Sequence, residues 1–125
     1  VTLYQYSPLE YNKNGQFSFT NDASLLMPTN VWGLDTLAIA RNTLNGLPGL
    51  YSVVARADNT QVTVAPSATG GVVRAGAGVA ANGSGVVVLN EGDVLQVLSG
   101  VGGGEPNTPD KADITGTRVT SDKPG

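Results

Sequence analysis

The strongest constraint on this chain is a hydrophobic period of two, cut into short lengths by turn-forming pairs. Thr60-Gln61-Val62-Thr63-Val64 sets a valine face against a polar one, and Gln16-Phe17-Ser18-Phe19-Thr20 puts both aromatics on one side. Side chains alternate across a strand, so this pattern gives a half-buried β-strand and gives a helix no single apolar stripe. Asp93–Leu98 is a strand with a partly doubled apolar set. Val86-Val87-Val88-Leu89 is a continuous apolar run, long enough for a buried strand and too short for a helix. Between these segments lie Asn14-Gly15, Asn45-Gly46 and Asn82-Gly83, pairs that tolerate the positive φ of two-residue hairpin turns. Asp58-Asn59 separates Tyr51–Ala57 from Thr60–Ala65 and predicts one hairpin. Asn90-Glu91-Gly92-Asp93 separates Gly85–Leu89 from Val94–Leu98 and predicts a second.

Strands are therefore expected near 2–7, 16–20, 23–27, 35–41, 51–57, 60–66, 71–76, 84–89, 93–99 and 114–121. About nine or ten short strands predict an all-β fold, an antiparallel β-sandwich or jelly-roll-like barrel. Leu34–Leu44 partly fits a helical face, but Thr36–Ala40 alternates and Gly33 and Gly46 flank it, so it reads as strand. Ser99–Asp113, rich in Gly and interrupted by Pro106 and Pro109, reads as a surface loop. No composition shift marks a boundary, and 1–125 reads as a single β domain.

Composition removes several function classes. Charged residues are 14% of the chain against about a quarter in typical domains. Gly, Thr, Ser, Asn and Val fill the deficit, a mixture poor for surface helices and suited to strands and tight turns. The net charge is −3. The basic residues Lys13, Arg41, Arg56, Arg74, Lys111, Arg118 and Lys123 are scattered, so no basic face is available to a nucleic acid or an anionic membrane. No apolar run approaches the roughly 20 residues of a membrane span. Val1 reads as mature sequence, with any targeting segment removed. Cysteine and histidine are absent, which removes disulfides, thiolate chemistry, the commonest general base and the commonest metal ligand. Ser121-Asp122-Lys123 offers a serine only a lysine as base, at a strand end. Gly100–Gly104 is followed by Glu105-Pro106, which would repel a phosphate. The chain reads as a non-enzyme.

Two kinds of residue remain as site candidates. Glu91 and Asp93, at i and i+2, share a face if that segment is extended, and Asp110 and Asp113 flank Lys111 in the long loop. These four are weak calcium candidates, since calcium needs six to eight oxygens and no calcium-loop motif is present. No cofactor is otherwise expected. Tyr4, Tyr6 and Tyr11 in the opening segment and Trp32 in the Pro28–Gly33 turn region are the binding candidates. Exposed aromatic faces stack on sugar rings or anchor protein partners.

Asp113-Ile114-Thr115-Gly116-Thr117-Arg118-Val119-Thr120-Ser121-Asp122-Lys123-Pro124 resembles the signature of the IgGFc-binding protein N-terminal domain family. Three further segments fit in the same order. Ser52–Val64 is similar to the family's central hairpin, and Leu89–Val97 to its loop-and-strand element. Tyr4–Leu9 with Asn21–Pro28 is similar to the opening of its bacterial surface and secreted members. The resemblance covers most of the chain. It implies a non-catalytic module on the outside of a cell, used in adhesion or assembly with a protein or glycoprotein partner. Antibody binding does not follow from it, since fold-level kinship does not fix function. The family pattern continues past Pro124 with another apolar strand, so truncation at the C-terminus is one reading of this domain. A carbohydrate-binding β-sandwich module is the alternative, and it requires two or more exposed, roughly coplanar aromatics with polar neighbours. The partner's identity and the oligomeric state are left open.

Overall fold

The computed structural model describes residues 2–7, 12–17, 22–26, 28–40, 47–100 and 112–125. Among them the fold is all-β and antiparallel, as expected, with one short 3₁₀ turn at Thr29–Val31. Two compact units are distinguished, Val1–Trp32 and Gly33–Gly125.

In the first unit, β1 (Leu3–Ser7) pairs antiparallel with β4 (Asp22–Leu26), placing Tyr4 opposite Leu25 and Tyr6 opposite Ala23. β2 (Asn12–Lys13) and β3 (Gln16–Phe17) form the hairpin expected at Asn14-Gly15. Both turn residues have positive φ, 54° and 80°, the requirement of a type I′ turn.

The second unit is a sandwich. One sheet runs in the order β5 (Asp35–Leu37), β10 (Arg118–Ser121), β7 (Thr60–Ala65), β8 (Gly85–Leu89). The other pairs β6 (Leu50–Val54) with β9 (Val94–Leu98). The period-two pattern now has a physical account. Thr60, Val62 and Val64 of β7 are buried while Gln61 and Thr63 are exposed. Tyr51 of β6 and Leu95 and Val97 of β9 are buried from the opposite sheet, and all but Thr60 belong to one core cluster with Val73, Val79, Leu89 and Ile114.

Both hairpins expected within this unit are corrected. β6 pairs with β9, not β7, and β8 pairs with β7, not β9. Residues 55–59 and 90–93 are therefore arches that carry the chain from one sheet to the other. Of Asp58 and Asn59, only Asn59 has positive φ, 53°, so no type I′ turn forms there. An arch turns the buried faces of successive strands toward each other, whereas a hairpin would leave them side by side. Alternation is the same in both cases, and only the turn geometry separates them.

Three strand boundaries also move. The segment expected at 35–41 is strand only through Leu37, and beyond it Ala38 and Ala40 bond to Thr117 and Thr115. The segment expected at 114–121 is strand only from Arg118, because 113–117 is a turn. At 71–76 two isolated bridges, Val73 to Ser99 and Gly76 to Val79, replace a strand.

Tyr51 is 7% exposed, and among the described residues its Oη has no hydrogen-bond partner. A buried hydroxyl without a partner costs about 1–3 kcal/mol of desolvation. Burial also pushes the Tyr51 phenol above its ordinary value. The folded state then holds its proton longer than the unfolded state. Stability is full below the ordinary phenol pKa of about 10 and falls as pH rises through the folded value. Tyr51→Phe should raise stability by about 1 kcal/mol and flatten this alkaline loss. Urea melts at neutral pH and at high pH test both parts, and an unchanged alkaline slope would show that another group causes it.

Candidate functional site

Three of the segments singled out in the sequence meet at one end of the sandwich. In the first arch Asp58 Oδ1 accepts the Glu91 N–H at 3.0 Å. In the second, Asn90 Oδ1 accepts the Asn59 N–H at 3.2 Å. Each arch thus supplies one side chain to the other's backbone. Two main-chain bonds join them further, Ala55 N to Asp93 O at 3.2 Å and Gly92 N to Ala55 O at 2.9 Å. Asp93 closes its own turn by accepting the Asn90 N–H at 2.9 Å. The end of β10 lies on the first arch. Asp122 Oδ1 accepts the Gln61 N–H at 2.8 Å, and Lys123 Nζ donates to the carbonyls of Asp58, at 2.5 Å, and Asn59, at 3.1 Å. Polar side chains gather here because arches, unlike ladders, leave backbone groups to be satisfied.

The fourth segment, Asp113–Thr117, folds into a turn that ties three stretches of chain together. Asp113 Oδ1 accepts the Thr115 N–H at 3.0 Å, and Thr117 Oγ1 donates to Ile114 O at 2.8 Å. Thr115 Oγ1 donates to Ala40 O at 2.7 Å and accepts from Ala40 N at 3.2 Å. Ser67 Oγ donates to Thr115 O at 2.5 Å, and Thr69 Oγ1 donates to Asp113 O. The one apolar member, Ile114, is 0% exposed. In both regions the polar atoms named bond to the chain itself.

The sequence-derived candidates fall into separate places. Tyr4 and Tyr6 are 55% and 73% exposed and lie on one face of the β1–β4 ribbon, roughly 7 Å apart along the strand. Leu25, opposite Tyr4, is exposed on the same face. Trp32 is half-buried just after the 3₁₀ turn. Tyr11 lies outside the described residues, as does Asp110. Of the calcium candidates, Glu91 and Asp93 are exposed in the second arch and Asp113 is half-buried in the turn at the start of the fourth segment. One oxygen each of Asp93 and Asp113 is already held by a backbone N–H. Among the described residues no three acidic groups come together in a metal-holding geometry. Ser121 Oγ donates to Lys123 O at 2.5 Å, and the Lys123 amine is turned to the arch carbonyls.

One ion pair went unpredicted. Arg118 Nε donates to Asp35 Oδ1 at 2.9 Å, and its NH2 bonds Oδ2, across the β5–β10 pair. The Arg118 hydrogen bonds hold the Asp35 carboxyl below its ordinary value. Both side chains are largely exposed, so the pair adds little to stability. Its two positions are far apart in sequence, and only the strand order brings them together.

Compared with models of known protein families, the chain matches the IgGFc binding protein family over residues 22–124. Neither the curated proteins nor the solved structures contain a match.

Proposed function

The chain belongs to the IgGFc binding protein family, and on that premise we propose that it is a non-catalytic, extracellular or cell-surface module that engages a protein or glycoprotein partner in adhesion or assembly. The observation that carries this reading is how the family-like segments are used. Asp58, Asn90, Asp93, Asp113, Asp122 and Lys123 each bond main-chain groups of the same sandwich. Residues engaged in this way build a scaffold, and among the described residues they form no convergent set of acid, base and nucleophile.

Recognition is then assigned to exposed aromatics. Tyr4 and Tyr6, with Leu25 beside them, offer a ring-and-aliphatic face of the kind that anchors partners, and Trp32 is the third candidate. Exposure of Tyr4 and Tyr6 is one of the features that the carbohydrate-binding alternative needs, beside coplanar rings and polar neighbours.

A binding screen against immunoglobulin Fc, mucin glycoproteins and a glycan array separates the readings. A saturable protein hit is expected, weakened at least tenfold by Tyr6→Ala or Trp32→Ala with the fold intact. A hit on free glycans alone would transfer the site to a carbohydrate-binding role. Protein binding untouched by substitution of Tyr4, Tyr6 and Trp32 together would remove the aromatic assignment.

A further inference from the structure

β5 ends the four-stranded sheet, with β10 on one side of it. Its ladder to β10 runs past both ends of the strand. Ser121 N donates to Leu34 O at 2.8 Å, Ala38 N to Thr117 O at 2.9 Å and Gly116 N to Ala38 O at 2.8 Å. Thr115 Oγ1 then bonds both backbone groups of Ala40. The even-numbered residues from 34 to 40 therefore face β10. Backbone groups alternate sides along an antiparallel strand, so Asp35, Leu37 and Ile39 turn their N–H and C=O groups the other way. Among the described residues nothing bonds to those groups there.

The side chains leave this edge unguarded. Edges are normally blunted by charge, proline, a bulge or a cover. Leu37 is 63% exposed and Ile39 is 87% exposed, both on the outer face of the sheet, while Ala38 and Ala40 pack on the core from the inner face. Leu34–Ala40 has no proline. Its one charge, on Asp35, is tied to Arg118 of the neighbouring strand. Two other edges of this unit are partly covered. Val79 bridges Gly85 at the start of β8, and Arg74 N donates to Leu98 O at the end of β9 at 2.9 Å.

A second copy of this edge is its complement. Antiparallel pairing about a two-fold axis at Leu37 sets Leu37 against its own counterpart and Asp35 against Ile39 of the second copy. All three outward-facing residues then exchange hydrogen bonds. Leu37 and Ile39 of both copies form one apolar patch across the seam, because opposite and diagonal neighbours touch. The two Asp35 residues stand about 14 Å apart along the strand, beyond the roughly 8–10 Å screening length of physiological salt. An axis at Asp35 would instead set like charges face to face. Charge therefore selects the register that brings the apolar residues together.

We propose that the open edge of β5 is a self-association site, at which two copies of this chain pair Asp35–Ile39 antiparallel about Leu37 and join their four-stranded sheets into one. The seam is short against the roughly 1,000 Å² of a stable interface, so the contact is weak by itself. It acts where copies are held close together and the second contact becomes effectively intramolecular. It uses none of Tyr4, Tyr6 and Trp32 and does not rest on the adhesion reading.

Sedimentation equilibrium of the 125-residue chain should show monomer passing into dimer, with a dissociation constant on the order of 100 μM. Leu37→Lys combined with Ile39→Lys, both at exposed positions, should weaken dimerisation at least tenfold and leave the urea midpoint of dilute protein unchanged. The chain has no cysteine, so one introduced thiol reports the register. Leu37→Cys lies on the axis and should cross-link to a dimer under mild oxidation. Leu50→Cys, exposed on the other sheet, should not. The proposal is overturned if the chain stays monomeric at about 1 mM, or if the double lysine variant dimerises as the parent does. It is also overturned if Leu37→Cys cross-links no faster than Leu50→Cys.

Discussion

Ile114→Ala should lower the stability of the protein by about 2–5 kcal/mol, the range for deleting a large aliphatic side chain from a packed core. Ile114 is 0% exposed although it sits in a turn and not in a strand. Its neighbours on both sides are tied by hydrogen bonds to residues 38–40 and 67–69. The turn cannot sink inward to fill the space without breaking those bonds, so the upper half of the range is expected. Ile114→Val, which removes one methylene, should cost about 0.5–1.5 kcal/mol. Urea melts of the two variants check the order. A loss below about 1 kcal/mol for the alanine variant would mean that the turn is free to collapse and is not a plug in the core.

Gly71→Ala should be of similar size, about 3 kcal/mol, through the opposite fault. A Cβ at residue 71 would overlap the Asp113 carbonyl oxygen and stand 2.6 Å from its carbon, with Thr69 Oγ1 3.2 Å away. Overpacking against a movable side-chain tip is mild, but these are backbone atoms. The Asp113 carbonyl is already held by Thr69 Oγ1, and Gly71 N donates to Thr69 Oγ1 at 3.2 Å. Relief requires separating residues 67–71 from the Asp113–Thr117 turn. Amides of Thr115 and Gly116 should therefore lose exchange protection before the rest of the sandwich does. A variant within 1 kcal/mol of the parent would show that the two backbones can move apart at little cost.

The sequence and the structure agree where a local rule decides the matter. Thr60–Val64 alternates because one face is buried, and Asn14-Gly15 makes a hairpin because both residues accept positive φ. They part where the decision is non-local. Nothing in Tyr51–Ala65 states that β6 belongs to one sheet and β7 to the other, because both arrangements bury the same residues. A cue was present in Asp58 and Asn90, side chains suited to bonding backbone N–H groups that a hairpin would have left satisfied. Ile114 was hidden for a related reason. It stands among Asp, Thr and Gly, and only the closing of the turn on 38–40 and 67–71 puts it in the core. For the candidate site, the exposure of Tyr4 and Tyr6 was legible only as a possibility of type, since an aromatic at i and i+2 lines a core as readily as a surface.

The two arches bear on how the chain finds its fold. Among the described residues of 33–125 one ladder joins consecutive strands, Thr60–Ala65 with Gly85–Leu89 across residues 66–84, while Leu50 pairs with Leu98 and Arg118 with Ala65 and with Leu37. No two-residue hairpin joins the described strands of this unit. Every ladder begins with closure of a long loop, whose entropy must be met before contacts offset it. Folding is then governed by contact order, and a β domain of this kind folds in roughly milliseconds to seconds, not microseconds. During that interval Val86–Leu89 waits for Thr60–Val64. Mutual bonding of the arches shortens the wait, since closing either one positions both sheets at once.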